Sequence, residues 1–339
     1  LSAPEPTEAE RAALASAREH GIHTIAVPTP FAVGRVNCYL LEGDPLTLID
    51  AGPRSDRSWE VLAGGIAEAG YRLADLDLIV ATHQHIDHIG QITRMAGESG
   101  GEVAALDLVV DRLAEFSYGT EEEDLMAVVL MVRHGVPEDV AEGLKEVTAS
   151  FHTWGAPVTV TRPLPAGSRL KMGTREYEVL HRPGHSPSDT VFWDEGRGIA
   201  IAGDHLLSHI SSNPLIAKPL DGSPGRTRSL IDYERSLRLT REMPAGLMLS
   251  GHGVPILDHA GLIDKRLASQ ERRTARILGM LSDRPRSAHS IAEGIWGNVA
   301  MTQAYLTLSE VMGHLDILLD RGDAEQVNDG GRTTFRRTG

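Results

Sequence analysis

Thr82-His83-Gln84-His85-Ile86-Asp87-His88 sets three imidazoles and a carboxylate within six consecutive positions. A polar surface loop gives no reason for that density. Metal binding does, because histidine and aspartate are the donors that zinc takes where thiolate is absent. Alternate residues of an extended segment project the same way, so His83 and His85 can share one ion. Asp87 and His88 open what reads as a helix and turn toward a second ion nearby.

Further donors follow in a consistent order. Gly184-His185-Ser186-Pro187-Ser188-Asp189 presents an imidazole on a turn, just after the alternating apolar run from Tyr177 to Leu180. Ile199 to Gly203 reads as a short apolar strand that stops at Asp204, and Leu247 to Gly251 as another that stops at His252. A strand ending in glycine plus a metal-capable residue lets the backbone come close while the side chain points into a shared cleft. Taken singly, each is as readily a capping aspartate or a hydrogen-bonded histidine. Together they complete a two-ion set.

This order of residues resembles the metallo-β-lactamase superfamily of hydrolases, whose pattern is an early aspartate, the HxHxDH tract, a lone histidine, a bridging aspartate and a final histidine. The resemblance spans about residues 23 to 260, with the early aspartate at Asp50 in Leu46-Thr47-Leu48-Ile49-Asp50-Ala51-Gly52. It implies an α/β fold, the four-layer αββα sandwich. It also implies that His83, His85 and His185 hold a first metal, that Asp87, His88 and His252 hold a second, and that Asp204 bridges them. Asp50 then resembles the outer carboxylate that orients the ligands. The implied cofactor is two zinc ions per chain, with iron or manganese as alternatives.

The chemistry implied is cleavage of a carboxylic ester, lactone or thioester by a metal-bridging hydroxide, with Asp87 and Asp204 as the catalytic carboxylates. β-Lactamases of this fold generally carry cysteine or serine at the bridging position, so Asp204 points to the glyoxalase II-like and lactonase-like branches. Lactonases that open acyl-homoserine lactones carry a tyrosine near the metals, for which Tyr118 and Tyr233 are the candidates. Other readings are a metal-dependent phosphodiesterase or endoribonuclease, a mononuclear iron sulfur dioxygenase, a β-lactamase, and a binding protein that uses the fold without turnover.

The chain of 339 residues, 41% hydrophobic, is long enough for one sizeable domain and a small appendage. No apolar run approaches the roughly 20 residues that span a bilayer, and no secretory signal is visible near Leu1. Cys38 is the only cysteine, so no intramolecular disulfide forms; this fits a cytoplasmic location, with Cys38 buried in a strand from Asn37 to Leu41. A net charge of -14 disfavours nucleic-acid binding. The partners expected are a small-molecule acyl substrate and a second copy in a homodimer, without a membrane.

The elements that must position the donors are legible in outline. Strands are expected near 22–28, 36–42 and 46–50, then a helix over 56–69 with Trp59, Leu62, Ala63, Ile66 and Ala69 at helical spacing and a stop at Gly70. Leu76 to Ala81 reads as the strand feeding the tract. Residues 1–260 form the expected catalytic domain, with a helical insert at about 106–150. Phe116, Tyr118, Met126, Met131, Phe151 and Trp154 are its candidate pocket walls; an ordinary outer helical hairpin is the other reading. His205 and His209, together with Tyr118, Phe151 and Trp154, are the candidate substrate-binding residues.

Residues 261–339 read as a winged-helix-like domain: helices over 262–282, 287–295 and 302–319, then a hairpin around Asn328-Asp329-Gly330-Gly331. Its last helix carries Glu310, Asp316 and Asp320 and almost no basic side chain. Packing or dimerisation is therefore expected of it rather than DNA binding.

Overall fold

The computed structural model describes residues 5–282 and 284–339, with side chains at all of these except 117–119. Helix α1 (Glu8–Glu19) is opened by a capping box in which Thr7 and Glu10 satisfy each other's backbone N–H groups. It leads into β1 (Ile22–Val27), β2 (Val36–Leu41) and β3 (Thr47–Ile49), followed by α2 (Asp56–Glu68) and β4 (Leu78–Val80). Two short helices, α3 (Ile86–Ile89) and α4 (Ile92–Ser99), precede β5 (Glu102–Leu106). Next come α5 (Val110–Ala114), α6 (Phe116–Arg133) and α7 (Glu138–Phe151), and β6 (Arg162–Leu164) completes a six-stranded sheet in sequence order.

The second sheet holds β7 (Arg169–Met172), β8 (Arg175–His181), β9 (Thr190–Asp194), β10 (Ile199–Gly203) and, after α8 (Ser229–Arg241), β11 (Leu247–Ser250). Its order is β11-β10-β9-β8-β7. The two-residue period of its strands explains the layering. Phe192, Ile199, Ile201, Leu247 and Leu249 face the core shared with the first sheet, whereas Val191, Trp193, Ala200, Ala202 and Met248 face outward onto Tyr233 and Leu237 of α8. On the far side α1 and α2 pack on β1. Helix, sheet, sheet and helix stack as the expected αββα sandwich, and Cys38 is buried in β2.

The remaining chain forms α9 (His259–Met280), α10 (Ala288–Trp296), α11 (Val299–Thr302), α12 (Ala304–Arg321) and a hairpin of β12 (Ala324–Asp329) and β13 (Arg332–Arg337). The 106–150 region is helical as expected, but its packing has a feature that local periodicity does not reveal. Val128, Met131, Val136 and Ala141 from α6, α7 and their linker share one apolar core with Ile277, Ile291, Leu308, Val311 and Phe335. Arg133 Nε also donates to Thr333 Oγ1 at 2.9 Å. The insert is thus tied to the C-terminal helices, and its first turns, through Leu113 and Phe116, reach the sandwich core.

The acidic residues of α12 are spoken for within the chain. Arg226 grips Asp316 through two bonds of 2.6 and 2.7 Å, Arg228 reaches Asp320 at 2.7 Å, and Arg273 pairs with Glu310. Among the described residues no helix is long and apolar enough to cross a membrane.

Candidate metal centre

All seven expected donors meet at one end of the sandwich. The tract follows β4, His185 sits in the turn between β8 and β9, Asp204 follows β10, and His252 follows β11. Two backbone bonds lock the sheets together at this end: Thr190 N donates to Thr82 O at 3.0 Å, and Asn37 N to Gly251 O at 2.7 Å. Asn37 and Tyr39 of β2 add side-chain bonds to Ser250 O of 3.0 and 2.6 Å, fixing the strand end that carries His252.

Asp50 sits where β3 ends, with φ of 58°, the only non-glycine residue at positive φ among the described residues. That backbone strain is held by what the carboxylate receives. Its Oδ1 accepts from Thr82 N at 2.8 Å, and its Oδ2 accepts from Thr82 Oγ1 at 2.8 Å and from His88 Nδ1 at 2.7 Å. The Thr82 hydroxyl has its one proton committed to Asp50, so at 3.0 Å it accepts from His83 Nδ1. Asp50 therefore orients His88 directly and His83 through Thr82.

The same device recurs at His185, whose Nδ1 donates to Asn213 O at 3.0 Å, and at His252, whose Nδ1 donates to Arg35 O at 2.8 Å. A neutral imidazole carries one proton, so anchoring each outer nitrogen leaves the inner Nε2 as a bare lone pair aimed at the centre. Four imidazoles are set this way. His85 turns its Nδ1 inward instead, 3.0 Å from His83 Nε2 and 2.9 Å from His185 Nε2.

These groups fit metal ions better than they fit one another. His88 Nε2, His252 Nε2 and Asp204 Oδ1 are buried without a hydrogen-bond partner. Asp204 Oδ1 lies 3.5 Å from His88 Nε2, while its Oδ2 lies 3.6 Å from His185 Nε2 and 3.4 Å from His252 Nε2. Asp87 Oδ2 is likewise 3.4 Å from His252 Nε2. Such gaps are too long for good hydrogen bonds, yet donors about 2.1 Å from a shared tetrahedral ion stand about 3.4 Å apart. The donor atoms gather as His83, His85 and His185, as Asp87, His88 and His252, and as His83, His88 and Asp204. Asp204 thus spans the first two triads.

The electrostatics agree. Burial opposes charge on His88, yet Asp204 and Asp50 hold its imidazole well above the usual range. Burial is likewise outweighed at His252, which Asp204 and Asp87 raise to about 10. Asp87, despite burial, is drawn down to about 2 by its bond to His252 and the charges of His88 and His252. Burial, then His185, lowers His85 to about 3, and burial keeps His83 well below the imidazole norm. The carboxylates thus demand positive charge at the centre, which bound cations would supply in place of protons.

Close backbone packing keeps the carboxylate in place. A Cβ on Gly251 would collide with Asp204 Oδ1 and stand 2.9 Å from His88 Cε1, and one on Gly203 would stand 2.8 Å from Thr82 Oγ1. The His185 turn is shaped by Asp189, whose carboxylate accepts from Ser186 N at 3.0 Å and Ser186 Oγ at 2.7 Å. Ser188 Oγ donates to the Gln84 side chain, stitching that turn to the tract.

A cavity of about 390 Å³ opens beside His85, Asp87 and His185 and runs under the insert. Phe116, Met131 and Phe151 line it as expected, joined by Tyr305 of α12. Several expected wall residues lie elsewhere. Met126 and Trp154 are not in the lining, and Trp154 acts through its backbone, accepting from Arg54 N at 2.6 Å. His205 is fully buried and turned to Thr240 Oγ1 at 2.8 Å, with Tyr233 donating to its carbonyl at 2.8 Å; neither side chain lines the cavity. His209 lies against Gly253, also outside it. The side chain of Tyr118 falls outside the described residues.

Sequence reasoning missed Thr82 as a link, Asn37 and Tyr39 as anchors, and Tyr305 as a wall. Thr82 alone carried a local signal, as the residue immediately before the tract.

Comparisons with known proteins agree with this geometry. The sequence profile described as "Metallo-beta-lactamase superfamily" matches residues 32–252. The chain is 33% identical over 294 residues to "Probable metallo-hydrolase YqjP" of Bacillus subtilis, covering 87% of this chain and 91% of that protein. It is 25% identical over 239 residues to "Hydroxyacylglutathione hydrolase GloC" of Haemophilus influenzae, covering 66% of this chain and 88% of that one. A crystal structure of a metallo-beta-lactamase family protein from Thermus thermophilus superposes with a TM-score of 0.76 at 25% identity, over 94% of this chain and 99% of that one. On the profile match, the relatives and the converging histidines and aspartates, the chain belongs to the metallo-beta-lactamase superfamily and is a metal-dependent hydrolase.

Proposed function

We propose that the protein is a dinuclear zinc hydrolase that cleaves a carboxylic ester, lactone or thioester. The observation that carries this reading is the set of four outward-anchored imidazoles, whose bare inner nitrogens surround the Asp204 carboxylate. His83, His85 and His185 would hold one ion, Asp87, His88 and His252 the other, and Asp204 would span both. Bound zinc supplies water acidified enough to be nucleophilic near neutral pH and stabilises charge that develops on the acyl oxygen.

The chain's own residues then have distinct tasks. Asp204 and Asp87 carry the negative charge that balances the cations and can hold a proton as the acyl bond breaks. Asp50 and Thr82 keep His88 and His83 in the ligating tautomer. The largely apolar cavity beside His85 and His185 receives the substrate.

Elemental analysis coupled to a panel of ester, lactone, thioester and phosphodiester substrates tests the proposal. About two zinc ions per chain with acyl cleavage is the expected result. Asp87→Ala or His88→Ala should deplete one ion and strongly reduce hydrolysis; full activity with full metal content in either variant overturns the assignment. One iron per chain with oxygen-dependent turnover would point to the dioxygenase branch instead.

A further inference from the structure

We infer that the acyl part of the substrate is an uncharged alkyl chain, held in a sleeve built jointly by the helical insert and α12, with the leaving group outside. This rests on the proposed acyl hydrolysis and narrows it to one substrate class. The cavity borders three of the metal-site donors, His85, Asp87 and His185, and its lining extends to Tyr305 of α12. Leu113, Phe116, Ala127, Met131, Phe151 and Ile216 supply much of its apolar wall.

The polar side chains of the wall favour the same occupant, because they are already engaged. Beyond the donors, its ionisable members are Arg112, Glu123, Asp124, Lys145, His152 and Tyr305. Arg112 pairs with Glu123 at 2.5 Å, His152 with Asp124 at 3.4 Å, and Lys145 with Glu142. Tyr305 donates its hydroxyl to Ile216 O, and Thr148 donates to Leu144 O at 3.0 Å. A carboxylate or ammonium entering the sleeve would have to break one of these pairs or stay uncompensated, and either is costly out of water. A phosphodiester would meet the same obstacle, since it needs free cations along its path. A methylene chain needs none. With the reacting carbon held near His85 and Asp87, the chain has room along this apolar wall, which leaves the leaving group outside it.

The sleeve also explains why two segments far apart in sequence pack together. The wall residues Ala127, Met131 and Leu144 belong to the core that α6 and α7 share with α12, and Tyr305 belongs to α12 itself. The C-terminal segment is thus part of the substrate site.

A chain-length series of p-nitrophenyl esters, from acetate to decanoate, tests this on the whole chain loaded with zinc. Each methylene moved from water into the sleeve should raise kcat/KM about three- to fourfold until the cavity is full. The octanoate ester should exceed its ω-carboxylated counterpart by about 100-fold or more. Ala127→Trp, which narrows the sleeve, should move the optimum to a shorter chain, with zinc content and melting temperature checking that the variant is folded. The wild-type series decides the matter even if that variant fails to fold. Turnover with a profile flat in chain length, or equal rates with the ω-carboxylate, overturns the sleeve and leaves acyl hydrolysis standing. No turnover at any length, with the matching lactones and thioesters equally inert, overturns both.

Discussion

Replacing Thr82 by valine keeps the shape of the side chain and removes its hydroxyl. Two buried bonds go with it: the 2.8 Å bond to Asp50 Oδ2 and the 3.0 Å bond from His83 Nδ1. Asp50 keeps its bonds from Thr82 N and His88 Nδ1, so its charge is not orphaned. His83 loses its only outer acceptor, and its ring is 2% exposed, so water does not readily replace the hydroxyl. A lost bond to a charged group costs about 1.5–3 kcal/mol and a buried donor left unpaired about 1–3 kcal/mol. Partial relaxation brings the expected total to about 2–4 kcal/mol. Because the hydroxyl also selects the tautomer of His83 that presents a bare Nε2, metal affinity should fall about 10- to 100-fold. Competition with a chelator reads the affinity, and urea unfolding of the metal-stripped protein reads the stability. Thr82→Ser should restore both. Valine at wild-type metal affinity would refute the link from Asp50 to His83.

Three further outcomes follow from named contacts. Gly251→Ala should displace Asp204, because the new Cβ has no room beside Oδ1; bound metal and hydrolysis should fall together, and a fully metallated, active variant would contradict the packing. Arg226→Ala leaves the Asp316 carboxylate, whose side chain is 5% exposed, without its guanidinium; the expected loss is about 3–5 kcal/mol in urea unfolding, largely recovered in an Arg226→Met, Asp316→Leu double variant. Burial, with Arg226 and Arg133 nearby, pushes His134 from its ordinary 6.5 down to about 4. The unfolded chain then takes up a proton that the folded one refuses. Stability should be full above about pH 6.5 and fall by about 3 kcal/mol as pH drops toward 4; His134→Gln should lose that part of the pH dependence in paired urea titrations at about pH 7 and 4.5.

The candidate metal donors were legible because each is a rare side-chain type at a telling place: the end of an apolar run, or crowded within the tract. Of what positions them, only Asp50 was. Two of the four outer hydrogen-bond acceptors are backbone carbonyls, Asn213 O and Arg35 O. Any residue supplies a carbonyl, so no sequence pattern marks one that will meet an imidazole after folding. A third is the hydroxyl of Thr82, a side chain too common to stand out. His205 shows the converse: the same imidazole, one residue after a metal donor, faces Thr240 because the chain has turned by one position.

The same distinction separates the two halves of the fold. The sandwich is built from short apolar strands that stand out locally, and its layering was expected from the resemblance that the donor pattern carries, since most of these strands are buried along their whole length. The union of insert and C-terminal helices depends on contacts across long stretches of chain, such as Arg133 with Thr333 and His289 N with His134 O. Local periodicity identifies an apolar face but not the face it will meet. That is why Phe116, Met131 and Phe151 could be named as cavity walls from the insert alone, while Tyr305 could not. The donor end of the site is therefore a property of strand ends, and the substrate end a property of helix pairing. Substitutions on α12 that loosen this pairing should alter which substrates are cleaved before they alter how much metal is bound.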